Sequence, residues 1–311
     1  MNNTVMNSPR NILILGAGEL GMAMLQGFVK QRETHPESRL TVLLRPSALN
    51  DNASASQKQR LRQLHDWNIE VITGDLSQQT PEELAQVFAP YDAIVNCSGF
   101  VGGAGTQLNI TRAVLLAGVA RYFPWQFGVD YDRIGMGSGQ PVWDEQLEVR
   151  QLLRSQQKTQ WVIVSTGMFT SFLFETAFGL VDVAGQKIHA LGDADYELTL
   201  TTPDDIGMLT AAIFFQQPSI NNEVVYVAGD TVTYRQLTEI VGQHYGVPFA
   251  LEVHDISELE KKAVQSPDDV IAAYRLAFAR PDGVAWDKST SYNARHNIPV
   301  TDVKGWMAAI R

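Results

Sequence analysis

Ile12-Leu13-Ile14-Leu15-Gly16-Ala17-Gly18-Glu19-Leu20-Gly21 is the stretch whose reading decides the fold. Four consecutive apolar residues ending in glycine have the pattern of a parallel strand buried on both faces. Beyond them Gly21, Met24, Leu25 and Phe28 fall at i, i+3, i+4 and i+7, one face of a helix. Strand, glycine turn and helix together form a G-x-G-x-x-G dinucleotide fingerprint in its required context. Gly16 permits the tight turn. Gly18 lets the backbone approach a pyrophosphate. Gly21 lets the helix pack against the strand end. The first-turn positions Ala17, Glu19 and Leu20 complete an anion cradle at the helix N-terminus. The alternative is a glycine-rich turn that holds no ligand.

Working outward, the same alternation continues. Strands are expected at Leu40–Leu44, Glu70–Thr73, Ala93–Cys97, Ala120–Phe123 and Trp161–Ser165. Between them, helices are expected at Arg60–Asp66, Pro81–Phe88 (Thr80 as cap), Thr106–Ala117 (stopped by Gly118) and Trp143–Gln157. Asn50–Gln59 reads as a loop or a helix start. The rhythm implies an α/β fold, a Rossmann-type doubly wound parallel sheet. After Thr166 it breaks. Met168–Phe178 is apolar and aromatic, Glu223–Ala228 returns to a buried-strand pattern, and from Tyr234 the chain is mainly helical. The expected organisation is a dinucleotide-binding domain over 8–165, with returning segments at about 195–233. A smaller, mainly helical substrate-side domain would comprise 166–194 and 234–311.

The ends of the later strands carry further candidates. The second strand runs into Arg45-Pro46 where an NAD enzyme places an acidic residue for the ribose 2′-hydroxyl. A guanidinium there pairs with a 2′-phosphate, which favours NADP(H), although an arginine at a strand end is also a commonplace surface residue. Asp75 and Leu76 follow the third strand, and Ser98, Gly99 and Phe100 follow the fourth. The aromatics Phe169, Phe172, Phe174 and Phe178 suit either a core or the wall of an apolar pocket.

Composition bounds the alternatives. The chain has 311 residues, 45% of them apolar, and a formal net charge of −10, which argues against nucleic acid as a partner. No run reaches the length of a membrane helix, and no signal peptide is apparent, so membrane association is not expected. One cysteine, Cys97, has no intrachain partner and fits a cytoplasmic location. The six histidines, at 35, 65, 189, 244, 254 and 296, show no metal-ligand spacing, so no metal is expected. No tyrosine is followed four residues later by lysine, which excludes the Tyr/Lys pair of ordinary short-chain dehydrogenases. Nucleophile-elbow, HExxH and phosphate-loop motifs are likewise missing.

Gln107-Leu108-Asn109-Ile110, followed by Ala117-Gly118-Val119-Ala120-Arg121-Tyr122-Phe123-Pro124-Trp125-Gln126-Phe127-Gly128, resembles the NmrA-like and isoflavone-reductase-like atypical short-chain dehydrogenases. There a Gln-x-x-Ile helix leads to a strand reading Arg-Phe-x-Pro-Ser-Glu-Phe-Gly. Trp161–Phe169 is similar to the family's strand and active-site loop, and Thr202–Gly207 to its Asp-Ile-Gly turn. Residues 124–132 and 144–150 are most similar to the CipA-like subgroup. The resemblance runs from about Asn11 to about Asp287. It implies an NADPH-dependent reductase of a small aromatic or conjugated carbonyl compound. It also adds Gln126, Phe127, Gln146, Thr166, Met168 and Phe169 to the cofactor-binding set.

One position departs from the family. Aligning Val149-Arg150 with the plant reductases' Phe-x-x-Lys-x-x-Val-Arg puts Trp143 at the aromatic and Gln146 at the lysine. An amide has no proton to give at neutral pH, though it can hold an oxygen by a hydrogen bond. Gln146 and the nearby phenol Tyr131 are therefore the catalytic candidates. For Gln146 the alternative is a satisfied buried amide, and for Tyr131 an ordinary loop aromatic. The second functional reading is a non-catalytic NADP(H)-sensing regulator that binds a protein partner.

Overall fold

The computed structural model describes residues 10–49, 54–100 and 102–310. Six strands, β1 (Asn11–Leu15), β2 (Arg39–Leu44), β3 (Glu70–Thr73), β4 (Ala93–Asn96), β5 (Arg121–Phe123) and β6 (Gln160–Ser165), alternate with helices. These helices are α1 (Glu19–Gln31), α2 (Ala55–Asp66), α3 (Pro81–Phe88), α4 (Thr106–Ala117), the short α5 (Tyr131–Ile134) and α6 (Pro141–Arg154). β1 pairs in parallel with both β2 and β4, and the β2–β3, β4–β5 and β5–β6 pairs are parallel too. The chain leaves β1 towards β2 and β3, then returns to its other side as β4. The β1/β4 boundary is thus the topological switch point, where doubly wound sheets bind ligands.

Continuous burial explains why these strands read as apolar runs: Ile12, Leu13, Ile14 and Leu15 are all 0% exposed. Leu13, Ile94 and Ile163 face Leu84 and Phe88 of α3, Ile110 and Val114 of α4, and Val149 and Leu153 of α6. A second core packs Phe28 of α1 edge-on against Phe214, with centroids 5.0 Å apart. Phe214 lies in α7 (Pro203–Phe215), where α1 and α7 meet at their backbones. A Cβ on Gly27 would lie 2.4 Å from the Gly207 carbonyl oxygen, and one on Gly207 would lie 2.2 Å from that of Ala23. Arg121 is buried here. It donates to the carbonyls of Phe214 (2.6 Å) and Ile220 (3.1 Å), and burial lowers its pKa to about 10.

Later strands are β7 (Met168–Phe169), β8 (Val181–Asp182), β9 (Lys187–Leu191), β10 (Glu197–Thr201), β11 (Glu223–Tyr226), β12 (Asp230–Thr233) and β13 (Ala250–His254). β11 completes the large sheet in the order β11-β6-β5-β4-β1-β2-β3. The others form two three-stranded sheets, β12-β10-β7 and β13-β9-β8, which the sequence reading did not anticipate. From Tyr234 onward the chain is mainly helical, as expected, apart from β13.

Two compact units emerge. The first gathers the chain through Trp125, Glu148–Ile163 and Gly207–Val224; the second gathers Gln126–Leu147, Val164–Ile206 and the chain from Val225. This division differs from the boundaries expected from sequence. Residues 126–147 group with the second unit because β5 has only three residues and the chain departs from the sheet after it. The second unit is also nearly as long as the first. Three helix limits differ as well, one being the start of α6 at Pro141 in place of Trp143. α2 starts at Ala55 because Ser54 and Gln57 form a capping box, and α6 ends at Arg154. Of the Asn50–Gln59 stretch, 50–53 lie outside the described residues. Among the described residues no helix is long and apolar enough to cross a membrane.

Candidate functional site

Gly16 follows β1 with φ +91°, a left-handed conformation, and its N–H donates to the Leu43 carbonyl at 3.0 Å. α1 then begins at Gly18, which offers no side chain to cap it. The first N–H groups of a helix have no intrahelical acceptor, so this end keeps donors for an anion. The three fingerprint glycines separate by cause. Gly16 is held by its backbone conformation. A Cβ on Gly21 would lie 2.2 Å from the Gly16 carbonyl oxygen, so helix packing requires that glycine. Gly18 has φ −71°, and a Cβ there would meet nothing within 4 Å. The fold gives no reason for a glycine at 18, whereas a pyrophosphate lying against the loop does.

A cleft of about 270 Å³ opens at this point. Gly16, Ala17 and Gly18 line it from the turn, Leu44 and Arg45 from the end of β2, Asp75 and Leu76 from beyond β3, and Ser98 from beyond β4. Each of these except Leu44 was a cofactor-binding candidate from sequence. Asp75 is fixed in place: its carboxylate accepts from the Ser77 hydroxyl (2.6 Å) and N–H (3.0 Å), which lowers its pKa, with a smaller effect from Arg45. Ser98 is likewise held, donating to Asn96 Oδ1 at 2.7 Å, while Gln107 joins Asn96 to the Gly99 carbonyl. Glu19, Leu20 and Gly21 form the first turn of α1, and Gly99 and Phe100 continue the loop after β4; none of these five lines the cleft. Sequence reasoning missed Arg60. This α2 residue lines the same cleft and reaches the Ala17 carbonyl at 3.5 Å, giving the cleft a second guanidinium beside Arg45. Cys97 is buried beneath the cleft, and burial raises its thiol pKa far above the ordinary range.

The remaining candidates belong to the second unit. Gln126 and Gln146 form a buried pair, each 1% exposed. Gln126 Nε2 donates to both the backbone carbonyl and the side-chain Oε1 of Gln146, each at 2.9 Å. With its oxygen engaged, Gln146 Nε2 is a buried donor with no acceptor. Leaving such a group unsatisfied typically costs about 1–3 kcal/mol. Phe127, Tyr131, Thr166 and Met168 are buried as well, and Phe169 is half-buried. Tyr131 packs edge-on against Trp143, its hydroxyl set over Gly128 so closely that a Cβ there would lie 2.5 Å away. Thr166 and Gly167 both donate to the Gly128 carbonyl, tying this loop to the segment ahead of β7. Phe178 is fully buried and stacks on Phe172, with centroids 4.5 Å apart, whereas Phe172 and Phe174 are half-buried. Near them Tyr274, a phenol the sequence reading passed over, is pushed up to about 12 by burial.

The sequence profile of the NmrA-like family matches residues 9–278. The chain belongs to the NmrA-like family. It is 43% identical over 298 residues to an NmrA-like family domain-containing oxidoreductase of Gibberella moniliformis, covering 96% of this chain and 97% of that one. Among solved structures it superposes on an isoflavone reductase with a TM-score of 0.78 at 18% identity, covering 98% and 100% of the two chains. It also superposes on the leucoanthocyanidin reductase–NADPH complex of Vitis vinifera with a TM-score of 0.77 at 18% identity, covering 96% and 98%. These two likenesses establish the fold.

Proposed function

We propose that this NmrA-like protein is an NADPH-dependent reductase that delivers hydride to a small aromatic or conjugated carbonyl compound. The observation that carries the reading is the cleft at the uncapped start of α1. There Gly18 leaves space that the fold does not need, and Arg45 and Arg60 supply two positive charges. The donor set suits the dinucleotide: free N–H groups for the pyrophosphate, guanidinium groups for a 2′-phosphate, and Asp75 and Leu76 for the adenosine end. A relative named as an oxidoreductase and a structural neighbour solved with NADPH support it.

When bound, NADPH supplies a hydride from its nicotinamide ring. The chain's own residues bind and orient. In the second unit, Gln146 Nε2 is a donor awaiting an oxygen. Gln126 fixes its orientation by holding Oε1, so the amide is presented without rearrangement. An amide cannot donate a proton at neutral pH, so the proton that completes reduction comes from water or a phenol; Tyr131 is the candidate from sequence. The family's lysine is replaced by this amide, and that replacement is what favours the alternative of an NADP(H) sensor bound to a protein partner.

Fluorescence titration with NADPH and NADH, followed by NADPH oxidation over a panel of aromatic enones and aldehydes, tests the proposal. Tighter NADPH binding with steady turnover is expected. Tight binding without turnover on any compound would replace the reductase by the sensor, and lack of NADPH binding would remove both.

A further inference from the structure

Histidines 189 and 254 stand 65 residues apart in the chain, a separation that hides any ligand motif. The fold removes that distance. β9 and β13 pair in parallel with His189 opposite Glu252, and His254 lies two residues beyond Glu252. Residues i and i+2 of a strand share a face, so all three side chains project from one side of the small sheet. His189 Nδ1 lies 2.9 Å from His254 Nε2 and 3.6 Å from Glu252 Oε2. One potential ligand atom from each residue falls within 4.8 Å of the others.

We propose that His189, Glu252 and His254 form a binding site for a divalent transition-metal ion of the zinc type, in the second unit and separate from the cofactor cleft. Atoms bound ~2.0–2.1 Å from a tetrahedral zinc lie about 3.3 Å from one another, and the two closest separations here bracket that value. Two imidazole nitrogens and one carboxylate form a donor set that suits zinc or its neighbours and not calcium or magnesium. Solvent reaches the cluster, leaving room for a water as fourth ligand: the His189 side chain is 19% exposed and that of Glu252 43%.

The carboxylate is already oriented. Lys187 Nζ holds Glu252 Oε1 at 2.6 Å, leaving Oε2 directed at His189, an outer contact of the kind that positions metal ligands. Burial, and then the nearby Arg275, lower the pKa of both imidazoles. The Lys187 and Arg275 charges oppose a cation, and the Glu252 carboxylate offsets them in part. An ion here would clip residues 187–191 to residues 250–254, the two longest strands of this sheet.

The competing explanation is a hydrogen-bonded histidine pair with no ion. Titration of the full-length protein, first stripped with a chelator, with zinc chloride decides between them. One equivalent of zinc should bind and raise the melting temperature. His189→Ala and His254→Ala should each weaken binding by more than the roughly 10- to 100-fold loss typical of removing an outer-shell partner. Cobalt(II) should give the intense visible absorption of a tetrahedral site and lose it in both variants. Should an alanine variant fold poorly, Glu252→Gln alters one oxygen of a surface side chain and should weaken zinc binding without lowering the metal-free melting temperature. No stoichiometric binding, or binding unchanged in the variants that fold, would overturn the site.

Discussion

Helices α3 and α1 begin in opposite ways. At α3 the Thr80 hydroxyl accepts from the Glu83 N–H while Glu83 accepts from the Thr80 N–H, and Pro81 occupies the first turn. α2 and the helix Tyr234–Tyr245 carry the same reciprocal box, at Ser54/Gln57 and Thr233/Gln236. These helices satisfy their own first turns. α1, which follows a strand whose last four residues are fully buried, begins on a glycine with no side-chain cap. α4 also begins on a glycine, Gly105, with no side-chain cap, so an open start is shared; what sets α1 apart is that its open end lines the cleft, where its donors would meet an anion.

Four substitutions can break or sharpen that contrast. Gly21→Ala should have the largest effect, because its Cβ would press on the Gly16 carbonyl, a backbone atom that cannot swing aside. A loss of about 3 kcal/mol or more is expected. A thermal melt within a few degrees of the parent would show that the turn and helix separate easily. Gly18→Val, three residues away, should leave the melt nearly unchanged, since its Cβ meets nothing, and should abolish NADPH binding. Near-normal affinity in that variant would reduce Gly16–Gly21 to a turn. Arg45→Ala and Arg60→Ala each remove a charge-assisted contact worth about 1.5–3 kcal/mol, a 10- to 150-fold change. Each should narrow the preference for NADPH over NADH, and the double variant should bind both equally. A preference that survives the double variant would place 2′-phosphate recognition elsewhere. Thr80→Ala completes the contrast: it should cost about 1 kcal/mol in urea unfolding and leave the NADPH dissociation constant unchanged. A shift in that constant would mean that α3's cap is not independent of the cofactor site.

Much of the first unit was legible because its parallel strands are buried on both faces and its helices carry strong punctuation. Thr80-Pro81 and Gly118 marked the start of α3 and the end of α4 where the structure has them. The second unit resisted the same reading. β7 and β8 are two residues long, and β13 is partly exposed along its length, so neither continuous apolarity nor clean alternation identifies them. β7 and β13 exist through pairing with strands distant in the chain, which one-dimensional periodicity does not record, and β8 is only the short arm of a hairpin with β9. The cleft followed the same rule. Candidates at strand ends fall into it because topology puts ligands there, whereas Arg60 sits inside an ordinary amphipathic helix that announces nothing. The Gln126–Gln146 pairing left no mark in sequence, since either amide alone suits a loop or a helix. The neighbourhood of His189 and His254 was equally illegible, because spacing reports proximity within one helix or loop and not between paired strands.

The two units are laced together by the chain, which passes from one to the other at 125/126, 147/148, 163/164, 206/207 and 224/225. Neither corresponds to a continuous stretch of gene. A fragment ending at 165 would retain β1 to β6 but lose α7, baring Phe28 and the glycine face on α1 against which Gly207 closes. During synthesis the first unit cannot complete its contacts until residue 224 has left the ribosome, by which point less than half of the second, 126–147 and 164–206, has emerged. The dinucleotide half therefore waits for two pieces of its neighbour to be threaded through, and can close only as the last and largest piece, from Val225, begins to emerge.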